Sequence, residues 1–344
     1  MPGRRAVLRY SLLLFSLLAG LSQAAGPAAA LQPHGRTELP GYEGDFDHFS
    51  VDVAGNRLFL AAEDHGTLEV FELASGRHLK TVAGVEVPHG ILYLPDVNRL
   101  VVTDSGAGAT KVFDAASYQL LGNIKLVPGA DSMTYDAAGK HMYIVAGGKN
   151  GKLPVSTLFR IDPRSGQVAG KLQFDTDKVE AMAVEENGTR LYVNVTGKNQ
   201  VAVLDKTTLA PLETWTVTAG QANAAMAFDE AGHRLFVVTR KPYKVVVMNT
   251  RTGAVIASLP APERTNEAIY DKVNHRIYLA GDDFMAVIAQ KDADHYEALD
   301  PVPTAKGAKT AILVPQLKRL FAAVSPGEGK TGAAVIGFDV MPHP

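Results

Sequence analysis

The sequence contains no cysteine. That excludes a disulfide framework, a thiolate zinc site, haem attachment, a thiol nucleophile and a lipidated cysteine. Tryptophan occurs once, at Trp215, and aromatics make up 7% of the 344 residues. With so few aromatic faces and a formal charge of −2, a strongly basic, base-stacking nucleic-acid surface is not expected. Beyond residue 24 no apolar run approaches the ~20 residues that span a bilayer. No helical periodicity continues past two turns in that region either. Glycine (32 residues) and proline (19) are plentiful, beside 46% hydrophobic and 20% charged residues. This is the composition of a globular chain with many turns.

The first 24 residues read as a secretory leader. Arg4, Arg5 and Arg9 form a positive start, Leu12 to Leu21 an apolar run, and Ser22-Gln23-Ala24 a small-residue cleavage site. Its removal takes the formal charge from −2 to −5. A mature chain with no further span is expected to be periplasmic or secreted. Gly3-Arg4-Arg5-Ala6-Val7-Leu8-Arg9 also resembles the twin-arginine export motif, with Val7 where Phe is usual. An ordinary secretory signal with adjacent arginines is the alternative.

The rest of the chain is a repeat. SVDVAGNRLFLA from Ser50 recurs as LYLPDVNRLVVT from Leu92, MTYDAAGKHMYIVA from Met133 and MAVEENGTRLYVNV from Met182. Three further copies are MAFDEAGHRLFVVT from Met226, AIYDKVNHRIYLA from Ala268 and AILVPQLKRLFAAV from Ala311. Their anchors are Arg57, Arg99, His141, Arg190, Arg234, Arg276 and Arg319, spaced by 42, 42, 49, 44, 42 and 43 residues. Each copy continues with a second hairpin, whose turn contains Gly in blades 1, 3 and 5, as in Thr250-Arg251-Thr252-Gly253. Seven such units predict an all-β, seven-bladed β-propeller of four-stranded antiparallel blades. The last copy stops after its third strand, near Val340, while Arg36–Pro40 is an orphan strand before the first copy. The N-terminal strand is therefore expected to close the ring as the outer strand of blade 7. Residues 25–35 read as a linker and 36–344 as the propeller.

Arg190-Leu191-Tyr192-Val193-Asn194-Val195-Thr196, with Gln200-Val201-Ala202-Val203-Leu204-Asp205 after it, resembles the YVTN repeat. Arg57-Leu58-Phe59-Leu60 with Leu68-Glu69-Val70 resembles it too. The likeness runs through all seven copies and points to the YVTN-repeat (YncE-like) β-propeller family. It implies an exported propeller. Members are variously binding or surface proteins, and relatives in the wider superfamily are lactonases of the gluconolactonase type. WD40 repeats do not fit, because no Gly-His…Trp-Asp pair exists.

The residues ten before each anchor are expected at the mouth of the central channel. They are Asp47, His89, Asp131, Glu180, Ala224, Asn266 and Lys309. Asp47, His89, Asp131 and Glu180 suit a divalent cation such as Ca²⁺, Mn²⁺ or Zn²⁺. Their position is similar to that of the metal ligands in gluconolactonase-type propellers, and Pro88-His89-Gly90 has the matching form. Ala224 and Lys309 depart from that pattern, and a wet polar channel without an ion is the alternative. His48, Glu267 and Lys309 at the mouth, with Arg240, Lys241 and Tyr243 from a blade 5 loop, form the candidate ligand site. Loop charges are expected to sort into an acidic arc (Glu63, Asp64, Asp104, Asp282, Asp283) and a basic one (Lys149, Lys152, Lys198, Arg240, Lys241, Lys330).

No complete catalytic set is present. Ser325–Thr331 and Gly147–Lys152 mimic phosphate loops but lack the first Gly or a following helix, and there is no Gly-x-Ser-x-Gly elbow. These observations favour a non-enzymatic exported propeller that binds a small molecule or protein partner at the top face and channel mouth. The alternative is a metal-dependent lactonase or related hydrolase, with Asp131 or Glu180 as base. Single-stranded nucleic-acid binding, known in a relative of the family, is disfavoured by the charge of the mature chain.

Overall fold

Alternate residues of a strand point to opposite faces, so a strand sandwiched between two neighbours must be apolar on both. The second strand of blade 1, Arg57–Ala62, is such a strand. Leu58 and Leu60 pack toward blade 7, whereas Phe59 and Ala61 pack toward blade 2. In the computed structural model, which describes residues 29–326 and 332–342, this arrangement is repeated around a ring of seven sheets. The expected leader, residues 1–24, and Lys330 lie outside the described residues.

Each of blades 1 to 6 is a consecutive antiparallel meander of four strands. Blade 1 runs through Phe49–Asp52, Arg57–Ala62, Thr67–Glu72 and His78–Val82. Blade 6 adds a two-residue strand, Val302–Pro303, beside its third strand, Phe284–Gln290. Blade 7 takes Thr310–Val314, Arg319–Val324 and Ala334–Val340 from the C-terminal end of the ring. Its fourth strand is Leu31–Glu38, paired antiparallel from Leu31 opposite Val340 to Glu38 opposite Ala334. The ring is thus closed by the N-terminal strand, as expected.

That strand begins at Leu31, so residues 31–35, expected as linker, belong to it. Leu31 is only 2% exposed and joins the apolar cluster between blades 6 and 7. Pro33 and Gly35 hide the strand in the sequence. Here they are tolerated because the strand is outermost and its register shifts between them.

There is no single core. Seven apolar clusters lie one between each pair of neighbouring blades. Outer strands face solvent, leaving Leu79, Leu120, Leu121 and Leu212 between 43% and 57% exposed.

The anchors have a physical role that the repeat alone did not reveal. Asp52 receives the Gly55 N–H at 2.8 Å, closing the turn, and pairs with Arg57 at 2.7 Å. The Arg57 guanidinium then donates to the Ala115 carbonyl in blade 2. Arg99 reaches the Arg164 carbonyl of blade 3, Arg190 the Thr250 carbonyl at 2.9 Å and Arg234 the Ala293 carbonyl at 2.7 Å. Arg276 donates to the Met341 carbonyl at 2.6 Å, and Arg319 to the Ala74 carbonyl of blade 1. Each clamps the inter-strand turn, or the chain end, of the next blade. Blade 3 has His141 as its anchor; its Asp136 is paired instead with Lys206 from blade 4, at 3.3 Å.

Candidate functional site

In blades 1, 3, 4, 6 and 7 the residue ten before the anchor stands just ahead of the inner strand. In blades 2 and 5 it sits at a register shift within that strand, between Pro88 and Ile91 and between Asn223 and Met226. Either way it leaves the ladder and can aim at the axis. The backbone N–H groups of Asp47, Asp131 and Glu180 donate to Ala61, Val145 and Asn194 carbonyls at 2.9, 3.0 and 3.0 Å. Thr103 ties two blades together: its hydroxyl accepts from the Gly90 N–H and donates to the Asp131 carbonyl, both at 2.7 Å. A Cβ on Gly90 would sit 3.1 Å from Met133 Cβ and 3.2 Å from the Thr103 hydroxyl, so a side chain there would have to push these neighbours back by a few tenths of an ångström.

All seven of these residues line one cavity of about 470 Å³ at the channel mouth. His48, Arg240 and Glu267 line it as well. Lys241 does not. It is exposed and faces an outer recess with Lys198 and Pro242. Tyr243 pairs with Arg240 across the hairpin and is not among the residues lining the mouth. For Lys241 the reason is strand alternation: Arg240 turns inward, so the next residue turns away. Glu63, Asn150 and Arg264 join the cavity although no repeat spacing marks them. The charges sort differently from the loop-based expectation: Asp47, Glu63, Asp131 and Glu180 come from blades 1, 3 and 4 and Glu267 from blade 6, whereas Arg240, Arg264 and Lys309 come from blades 5 to 7.

Hydrogen bonds knit the wall. His89 Nδ1 lies 2.7 Å from Asp47 Oδ2, and its Nε2 lies 2.9 Å from Ser105 Oγ. His48 Nδ1 lies 2.9 Å from Glu267 Oε2. Asn266 donates to Asp47 at 3.0 Å and accepts from Arg240 at 2.9 Å. Asn150 donates to Asp131 at 2.8 Å. Lys309 and Arg264 both bond Asp45, at 2.7 and 2.9 Å. The Arg240 Nε is buried without a partner.

Burial lowers the His89 pKa, but Asp131, Asp47 and Glu63 outweigh it and lift it to about 9. Burial likewise opposes His48, which Asp47 and Glu267 raise to about 10. Asp47 is pushed up by burial, yet His48 and His89 hold it well below the usual carboxylate range. Burial and then Asp47 raise Glu63 to about 7. Burial raises Asp131 more than His89 lowers it, and burial with Asp131 raises Glu180. Burial thus disfavours the ionised forms of Glu63, Asp131 and Glu180 more than the nearby His89, His48, Lys178 and Arg240 favour them.

This pattern limits the chemistry. Ser105, His89 and Asp47 have the spacing of a nucleophile triad. With its pKa lifted to about 9, however, His89 favours the protonated form at neutral pH, which disfavours its taking the Ser105 proton. Asp47, Glu63 and His89 bring ligand atoms within 4.8 Å of one another and form a group that could hold a metal ion. Glu63 takes the place in that group that Asp131 and Glu180 were expected to fill. No helix among the described residues is long and apolar enough to cross a membrane.

Sequence comparison finds a 104-residue stretch 29% identical to a protein of Salmonella typhi, the uncharacterized protein YncE. The match covers 30% of this chain and 29% of that protein's length. In structure, the chain superimposes on a chain of a mitotic checkpoint complex with a TM-score of 0.73. That match has 17% identity and covers 97% of this chain and 99% of the other. A chain of Kuenenia stuttgartiensis hydrazine synthase gives a TM-score of 0.69 at 16% identity, covering 83% and 96%. Together these findings support a YncE-like propeller family. At such identities the two structural likenesses speak to the fold alone. No family model matches the chain.

Proposed function

We propose that this protein is a non-enzymatic, exported propeller that holds a small zwitterionic molecule in the mouth of its channel. The observation that carries this reading is the division of one cavity into two arcs. Asp131, Glu180 and Glu63 face it from one side, and Arg240 and Lys309 from the other. Underneutralised carboxylates favour a bound ammonium, and the unpartnered Arg240 Nε favours a bound carboxylate. A concave site of this size suits a small molecule better than the flat surface of a protein partner. The leader expected at 1–24 supports a periplasmic or secreted site of action.

Calorimetric titration of the mature protein tests this. Alanine should bind, while methylamine and acetate, each carrying one of its charges, should bind at least tenfold more weakly. Arg240→Ala and Asp131→Asn should each cost alanine roughly tenfold or more, about 1.5–3 kcal/mol for a charged hydrogen bond. Lys241→Glu should change nothing. If the single-charge probes match alanine, or none binds, the reading fails.

The Asp47–Glu63–His89 group favours a second reading, a metal-dependent lactonase or related hydrolase. Carboxylates and imidazole suit Ca²⁺, Mn²⁺ or Zn²⁺. A cation bound there would supply Lewis-acid polarisation of a carbonyl. His89 would have to ligate through Nδ1, giving up its proton and its bond to Asp47. Asp131, 3.7 Å from His89, is placed to receive a proton from water. On this reading a chelator lowers the melting temperature of the purified protein and Ca²⁺ or Mn²⁺ restores it. A melting curve indifferent to both removes the metal.

A further inference from the structure

The channel does not end at the charged mouth. Below it lies a second cavity of about 390 Å³, bounded above by His48, Met133, Thr134 and Glu267, which line both spaces. The two therefore adjoin at these four residues. Their walls differ in degree: the mouth is mostly polar, whereas polar and apolar surface share the lower section about equally. The lower section is lined by inner-strand side chains, among them Phe49, Leu92, Tyr135, Ile269, Ile312 and Leu313. Apart from His48 and Glu267 at its neck, Tyr135 is the only ionisable side chain in its lining.

Leu92, Ile269, Ile312 and Leu313 are only half-buried, because this passage lies beside them. A wet channel gains nothing from such residues; polar side chains there would serve it better. Apolar walls exposed to a narrow space reward an apolar occupant instead. The neck fixes which way that occupant points. His48 and Glu267 are bonded to each other at 2.9 Å and so neutralise one another at the junction. Free charge lies above them, in the two arcs of the mouth, and apolar surface lies below.

We infer that the ligand is an amphiphile: a zwitterionic head held in the mouth and an unbranched or aromatic apolar tail that passes the His48–Glu267 neck into the lower channel. An α-amino acid with a long hydrocarbon side chain has this chemistry. The inference rests on the zwitterion-binding reading above and adds the tail to it.

The test uses the mature protein and a homologous series of probes with one head: alanine, 2-aminobutyrate, norvaline, norleucine and 2-aminooctanoate. Burying one methylene contributes about 0.8 kcal/mol. The dissociation constant should therefore fall by up to about fourfold per added carbon, until the lower channel is filled. Arg240→Ala should weaken every member by a similar factor and leave the dependence on chain length unchanged, because it touches only the head. Ile312→Thr should flatten that dependence and leave alanine binding as it is. Should Ile312→Thr not fold, the series on the wild-type protein decides alone. Affinity that stays within a factor of about two across the series, with alanine still bound, overturns the tail while sparing the head. Absence of binding by every member overturns both. Tight binding of long-chain members that survives Arg240→Ala while alanine binding is weakened would also overturn it, since head and tail would then occupy different places.

Discussion

Replacing Leu31 by alanine tests the closure of the ring at a single side chain. Leu31 is 2% exposed, pairs with Val340 and packs in the cluster between blades 6 and 7 with Ile336, Phe338 and Met285. Burying a leucine in such a cluster and then deleting it costs about 2–5 kcal/mol, the lost transfer energy plus the cavity left behind. A ring of roughly 300 residues unfolds with an entropy of about 0.6 kcal/mol per kelvin, at ~2.1 cal/mol/K per residue. The melting temperature should therefore drop by about 3–8 °C. Leu79→Ala is the control: Leu79 lies in the outer strand of blade 1, 43% exposed, and should cost no more than about 0.5 kcal/mol. Differential scanning fluorimetry and urea titration of both variants give the comparison. Truncation extends it. A chain beginning at residue 29 should melt like the mature protein. One beginning at Leu39 should expose the free edge of Ala334–Val340 and aggregate. Should Leu31→Ala and Leu79→Ala melt within about 1 °C of each other, the N-terminal strand is not what holds the ring shut.

Two further outcomes follow from the same geometry. Arg276 is 2% exposed and donates to the Met341, Ala30 and Pro342 carbonyls at 2.6, 3.4 and 3.4 Å, so Arg276→Ala should destabilise by about 2–4 kcal/mol in urea unfolding. Equal stability of Arg276→Ala and the exposed control Arg77→Ala would show that the clamp carries no energy. Glu180 is raised by burial and then by Asp131, so its ionised form is the one the folded state disfavours. The cost is therefore full above the raised folded value, fades as pH falls through it toward the ordinary glutamate value of 4.5, and is gone below that. Glu180→Gln should be more stable than wild type at pH 8 and equal to it near pH 4; a difference that grows toward low pH contradicts the assigned cause.

Much of the architecture was legible because the repeat advertises it. An acidic turn followed by Arg-Leu and a doubly apolar strand recurs at fixed spacing, and the structure shows that spacing is the size of a blade. The same counting led to the mouth of the channel, since ten residues before each anchor is a fixed distance along each blade. Counting fails where a side chain arrives from elsewhere. Arg264 and Asn150 reach the cavity from loops of irregular length, and nothing in their neighbours marks them. Lys241 looked equivalent to Arg240, but alternation along a strand sends adjacent residues to opposite sides. Ser105 became visible only through its contact with His89, which no spacing encodes. The early start of the closing strand was masked by Pro33 and Gly35, residues that usually mark the end of one.

The anchor arginines all point the same way around the ring, each holding the blade that follows it, and Arg319 carries the series past the seam to Ala74 of blade 1. As far as these contacts are concerned, the seam is one of six junctions clamped alike, the junction of blades 3 and 4 being held by Lys206 and Asp136 instead. A circularly permuted gene, joining the ends by a short linker and opening the chain at another exposed turn on the rim, should give the same ring. Opening it inside a second strand, where both faces are buried, should not.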